Sequence, residues 1–403
     1  MAKRVCVIRV DGREIEGLYE DVIAVEICDS ESEPSTFVIK FGVYLRPNRT
    51  WTLLDEGEED NDLPVLRLWQ RITIEAGFEG NNEVLIDGYV AGIQPDFGVH
   101  QAESSLLVWG HDASLAMRQE EKIVAWDNRK FSDVAAEIFT NHGLDFDVED
   151  SQVVHALKDN LLLQRGNDWD FLNRLAAQLG FEIFVRGAKA FFRKPVLSRT
   201  PQPDITVGLG AATTNSLWFK PKFVGDRPTS VRIARVNPVE KSVERIDVDV
   251  SPQEPLGEQG SGVIGAGRKA AGRPRTIAQP IAIGSEQEME SFAEGLRRHH
   301  DWVIQAEGEL DGMLYGRALR ARTVVPIRGA GRQYSGNYHV TKVIHRFTLE
   351  EYRQRYWVER NASEDGGFGQ LVTPVKVDQA GQVQAKGGLE RVITRIVGRE
   401  VLP

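Results

Sequence analysis

The sequence predicts a mainly β protein interrupted by a small α/β insertion, and three observations carry that prediction. Residues 1–110 hold short apolar runs of alternating polarity with turn residues between them. From 111 to 200 the apolar spacing changes to three and four, the period of helices. After Pro201-Gln202-Pro203 the alternating pattern returns and continues to about residue 362. The chain therefore divides into a first β block at 1–110, an α/β insertion at 111–200, a second β block at 201–362 and an extension at 363–403.

Val5-Cys6-Val7-Ile8-Arg9-Val10 opens the first block and runs into the turn Asp11-Gly12. Strands are expected at residues 22–27, 35–45, 66–76, 83–93 and 104–109, in a barrel or sandwich. Between them, residues 55–62 carry six acids in eight positions. That run lacks the alternating ligands and closing Glu of a calcium loop, so it reads as a solvated loop. In the insertion, Ser132 is expected to cap a helix bearing Ala135, Ile138 and Phe139, with Gly143 past its end. A second helix starts at Asn167-Asp168, presents Leu172, Leu175, Ala176 and Leu179 on one face, and stops at Gly180. A hairpin through Gly187 follows. The second β block has strands at 230–236, 243–250, 323–327, 338–347 and 355–360. Its Gly- and Pro-rich stretch 251–280 reads as a long loop, and Ser285-x-x-Glu288 as a capping box for one helix.

Composition narrows the function classes. A net charge of -10 argues against a surface that grips phosphate backbones, because such binding comes from Lys and Arg neutralising phosphates. No specific nucleic-acid binding is expected. No apolar run approaches the roughly 18 residues of a membrane helix, and the N-terminus reads as a strand and turn, not an export leader, so neither membrane insertion nor export is expected. Cys6 and Cys28 are the only cysteines, too few for a disulfide framework; they read as buried free thiols of a chain made in a reducing cytoplasm.

Candidate chemistry is weak throughout. His299-His300-Asp301 suggests a metal cluster, but neighbours on a helix point about 100° apart, and the pair reads as a helix-end feature. His111-Asp112, and His142 with Asp145 and Asp147, could be drawn as a base and its orienter, yet no nucleophile stands in a recognisable setting. Residues 265–272 lack the spacing of either phosphate loop. No catalytic residue, metal or cofactor is expected.

Two longer segments are more specific. Residues 163–176, with Gln164, Asp168, Phe171, Leu172, Arg174 and Leu175, run on to Gly180 and resemble the Q-x-x-x-x-D-x-x-F-L-x-R-L-A signature of the late-control-D family of phage tail hubs. The hub-like N-terminal part of the valine–glycine-repeat spike proteins looks similar. Residues 334–347 resemble that family's closing motif, a glycine turn at Gly336 followed by Tyr338, Val340, Val343, His345 and Phe347. From the residues themselves, Asn167 or Asp168 caps a helix whose leucines seat it, so Asp168→Ala is expected only to weaken the fold by the cost of a cap. His345 reads as a hydrogen-bonded sheet residue rather than a ligand.

The resemblance implies two tube-like β-barrel domains plus a small α/β domain in each subunit. It also implies a homotrimer whose six barrels join a three-fold spike protein to a hexameric inner tube protein, beside other baseplate subunits. Such a chain is assembled in the bacterial cytoplasm and then becomes part of a phage tail or injection particle. A tail-associated cell-wall hydrolase is the alternative. In the extension, Leu389, Val392, Ile393, Ile396 and Val397 recur at three and four, so this stretch is expected to dock on a partner surface or fold back on its own barrel.

Overall fold

The computed structural model describes residues 4–363 except 56, 59–60, 65, 79, 101–102, 156–161, 198–199, 209, 211–212, 238–240, 250, 261–275 and 281–285. Ser285, the start of the expected capping box, and all of the docking candidates from Leu389 to Val397 lie outside the described residues.

In the first block, β1 (Arg4–Val10), β2 (Arg13–Glu14), β3 (Val22–Ser30) and β4 (Thr36–Gly42) come first. The short β5 (Gly57–Glu58) and β6 (Asn61–Pro64) pair with each other, so the acidic run expected to be a loop contains a two-stranded ribbon. Then come β7 (Arg71–Phe78), β8 (Asn81–Asp96) and β9 (Ser105–Asp112). Seven of these strands lie in the order β3-β4-β9-β8-β7-β1-β2, every pair antiparallel. Alternation decides which face is inside: Phe37, Ile39 and Phe41 of β4 meet Ile72, Ile74 and Ala76 of β7 in one core. Cys6 and Cys28 are free but only partly buried, which corrects the expectation of fully buried thiols.

The insertion holds β10 (Lys122–Trp126), β11 (Arg129–Lys130), α1 (Phe131–Asn141), β12 (Asp145–Val148), β13 (Val154–His155), β14 (Leu162–Gly166), α2 (Asp168–Leu179), β15 (Glu182–Arg186) and β16 (Lys189–Arg193). Among the described residues its strands pair only with one another, as β10 with β14, β11 with β13, and β12-β16-β15. Leu172, Leu175, Ile138, Phe139, Ile183 and Phe192 share a core of their own. Ser132 does not cap α1. It lies inside the first turn, where its N–H donates to Ser151, while the carboxylate of Asp133 accepts from the N–H of Lys130.

The second block is not a single β unit with a helix. β17 (Ile205–Thr206) and β18 (Ser216–Phe223) join the large sheet, but β19 (Ser230–Asn237), β20 (Ser242–Val248) and β22 (Thr276–Pro280) form a separate three-stranded sheet. Residues 276–280, expected in a loop, are thus a strand parallel to β19; within the same stretch β21 (Gln259–Gly260) pairs with the last strand, β27 (Ala362–Ser363). The helix α3 (Glu286–His300) packs Met289 and Ala293 on Val231 and Ile233 of the small sheet.

The remaining elements are β23 (Ile304–Asp311), α4 (Gly312–Tyr315), β24 (Val324–Arg328), α5 (Gly331–Tyr334), β25 (Gly336–Thr348) and β26 (Tyr352–Arg360). They extend the first block's strands into one 13-stranded sheet, ordered β18-β23-β26-β25-β3 and onward, with β24 also on β25 and β17 on β24. The long strand β25 is the joint. Its first part pairs with β24 as far as His339, and its second part pairs with β3 from Lys342 onward. Between them the register against β26 shifts by one residue, at Thr341. A bulge bends and twists a strand locally, which lets one strand leave one partner for another. Accordingly Tyr338, Val340 and Val343 lie in the second block's core, whereas Phe347 lies in the first.

Candidate functional site

The two sequence motifs fall at structural joints. In the first, Asn167 precedes α2 with extended backbone, and its side chain accepts the N–H of Asp170 at 2.9 Å, closing one of the helix's free donors. Asp168 is not the cap. Its buried carboxylate accepts from Gln164 Nε2 at 2.7 Å and Lys122 Nζ at 2.7 Å, and lies 2.9 Å from His142 Nε2. Burial alone would raise its pKa, but the bonds from His142, Lys122 and Gln164 bring it down to about 2. Gln164 is held in turn by Trp126, whose indole N–H donates to Oε1 at 3.1 Å. Phe171, Leu172 and Leu175 are buried, and Arg174 lies over the Phe171 ring and donates to the carbonyl of Arg165.

Gly180 ends α2 with a φ of 64°, in the left-handed region that favours glycine. It also touches α3: a Cβ on Gly180 would lie 2.5 Å from the Cα of Gly295. In the second motif, Gly336 has a φ of 134°, and a Cβ there would strike the guanidinium of Arg360. Arg360 is fully buried and donates to the carbonyl of Ser335 at 2.6 Å. Tyr338 donates to the carbonyl of Tyr334, and His345 Nδ1 lies 2.9 Å from the hydroxyl of Tyr352. Burial, with the Arg320 charge nearby, pushes the His345 pKa down to about 3, so its ring is neutral.

Sequence reasoning missed a buried cluster of charges. Asp29 on β3 is buried between Arg320 Nε at 3.1 Å and Arg322 Nη1 at 3.3 Å. Burial would raise its pKa, but the two guanidinium groups bring it to about 2. Arg320 also donates to the carbonyls of Val84 and Leu85 on β8, and Arg322 lies 4.1 Å over the Phe184 ring on β15. One carboxylate thus ties both β blocks to the insertion. Beside it His339 Nε2 lies 2.9 Å from Glu31, under the stacked ring of Trp302. The one available signal was the sequence Arg317–Arg322, three arginines alternating with apolar residues that the strand pattern did not claim.

The remaining chemistry candidates do not converge. His142 meets Asp168, not Asp145 or Asp147, and Asp147 pairs with Arg193. Asp112 accepts the N–H groups of Ser35 and Ser114. Asp301 pairs with Arg297, while the rings of His299 and His300 stand 5.3 Å apart at 71°. Residues 265–272 lie outside the described residues. Among the described residues no three His, Cys, Asp or Glu gather in a metal-holding group, and no helix is long and apolar enough to cross a membrane.

Comparison with known proteins places the fold. The 43 kDa tail protein of prophage MuSo2 from Shewanella oneidensis superposes with a TM-score of 0.60 at 15% identity, over 89% of this chain and 99% of that one. A tail protein from Neisseria meningitidis MC58 gives 0.60 at 11% identity, over 92% and 100%. An E. coli protein, described as a component of the type VI secretion system with structural similarity to bacteriophage tail proteins, gives 0.51 at 11%, over 88% and 76%. The chain has the fold of these tail proteins along nearly its whole described length. The sequence family described as the Alg8 N-terminal domain matches residues 66–215, less than half of the chain. No curated protein matches.

Proposed function

We propose that this chain is a structural baseplate hub of a contractile phage tail or phage-tail-like injection system: a homotrimeric symmetry adapter joining a central spike to a hexameric inner tube. The observation that supports it best is the strand β25, which serves two β cores from one continuous sheet. A chain built this way holds two β blocks side by side, and three copies in a closed ring would offer six to a six-fold tube. The fold shared with tail proteins along nearly all of the chain supports the same reading. The role is mechanical. The motif residues Gln164 and Asp168 act by holding the insertion together, Gly336, Tyr338 and His345 act on the strands that the two β blocks share, and no bound cofactor or catalytic group is part of the proposal. Its partners are the spike, the tube protein and other baseplate subunits, met during assembly in the bacterial cytoplasm.

Co-expression with a candidate spike protein, followed by native mass spectrometry and cryo-electron microscopy, tests the reading. Three hub chains per spike trimer, in a ring with a central channel, is the expected result. A stable pair of one hub and one spike chain would sink it. Hydrolysis of peptidoglycan by the purified chain would favour the tail-associated hydrolase instead.

A further inference from the structure

At one end of the first β block, the turn between β25 and β26 faces the start of β3 and the end of β4. Between them lies an open groove of about 840 Å³. Val22 and the buried Val43 line it together with Ile23, Tyr44 and Leu349, which are 45%, 47% and 80% exposed. Glu20, Asp21, Glu350 and Glu351 also line it; Glu351 already accepts from Arg353 at 2.8 Å, and no Lys or Arg is itself in the lining. An apolar strip with an acidic rim is a surface built to be covered by something apolar and basic.

We propose that the occupant is the C-terminal segment of this same chain, residues 389–402. Its sequence supplies both complements. Leu389, Val392, Ile393, Ile396 and Val397 recur at three and four, the spacing of one helical face. Within it Arg391, Arg395 and Arg399 stand against Glu390 and Glu400. A segment this short does not hold a helix alone in water, so its stripe needs a surface on which to form. As a helix, 389–397 would be about 14 Å long. The tether also suffices. β26 separates Ser363 from the groove by about 30 Å, and a chain of the length of 364–388 can reach at most about 80 Å, more than that distance. The inference rests on the groove and the segment alone and stands whether or not the chain is a hub.

The test uses the full-length chain with a benzophenone amino acid at position 349 and, in a control, at Ile123, which is 84% exposed on β10 of the insertion. On illumination, position 349 should cross-link to tryptic peptides from 387–403, and position 123 should not. Ile393→Asp with Ile396→Asp should abolish that cross-link. The same double variant should speed amide exchange at residues 20–23 and 348–351 by about fivefold or more, as the cover is lost. Cross-links from 349 only to other parts of the chain or to another protein would overturn the proposal, as would exchange unchanged by the double variant.

Discussion

Asp168 receives bonds from β14, β10 and the end of α1, through Gln164, Lys122 and His142, and so ties three elements to the first turn of α2. Its side chain is 4% exposed. Removing it leaves the buried Gln164 amide without this partner, and hydrogen bonds to a charged group are worth about 1.5–3 kcal/mol. Asn167→Ala loses only a cap, about 1 kcal/mol. Urea unfolding should therefore rank Asp168→Ala well below Asn167→Ala, reversing the expectation drawn from spacing alone; equal losses would mean that the network carries nothing. The pH dependence follows from the same side chains. Asp29 and Asp168, both held at about 2, contribute stability that is present above about pH 4 and lost as pH falls from there toward 2. His345 acts earlier. Its folded pKa is about 3, whereas an unfolded imidazole binds a proton near 6.5, so stability falls as pH drops from about 6.5 to 3. His339 is opposite in sign: Glu31 raises its pKa against the effect of burial, so its contribution is full below about 6.5 and fades as pH rises through the folded value. A His345→Asn variant should lose Tm less steeply than the parent between pH 6.5 and 4, and an unchanged slope would remove His345 from this account.

The helices α2 and α3 meet backbone to backbone, where Gly180 and Gly295 leave no room for a side chain: a Cβ on Gly295 would lie 2.7 Å from the Gly180 nitrogen. Gly295→Ala gains helix propensity in α3, yet overpacking costs about 1–3 kcal/mol. The contact should win, with a lower Tm and faster exchange in both helices; a stabilised variant would show that the helices part easily. This pair marks the limit of what the sequence conveyed. The alternation of Phe37, Ile39 and Phe41, the stripe of Leu172, Leu175 and Leu179, and Gly180 as a helix stop were legible because each is a local pattern. That Gly180 also seats a helix more than a hundred residues downstream was not, because spacing carries no record of distant partners. Asp29 was invisible for the same reason: its partners Arg320 and Arg322 lie on the far side of the chain. The strand at 276–280 was hidden by the Pro- and Gly-rich stretch around it, where β19 rather than local propensity orders the backbone.

Across the whole molecule, the cores differ in how they depend on one another. β25 and β26 run through both large β cores: Phe347 and Tyr352 belong to the first, and Tyr338, Val340, Tyr356 and Val358 to the second. Neither block can open without tearing strands from the other, and the buried Asp29 pairs with Arg320 and Arg322 across the same joint. The two blocks should therefore unfold as one cooperative unit. The sheet of β19, β20 and β22 under α3 is a different case. Among the described residues its core has four fully buried members, Val231, Ile233, Met289 and Ala293, and no strand of it pairs with the large sheet. β20 turns Val243 outward at 55% exposure and, among the described residues, is an edge strand of its sheet. Hydrophobic stabilisation scales with the apolar area removed from water, so this unit should open at a lower free energy than the rest. Native-state hydrogen exchange should show amides at 230–248 exchanging through a sub-global opening, while those at 338–347 and 353–359 exchange only with global unfolding. In rising urea, the first set should follow a shallow slope and the second the full one. If the two β blocks exchanged with different free energies, or if residues 230–248 were as protected as β25, the shared strand would not be the element that makes this chain a single mechanical body.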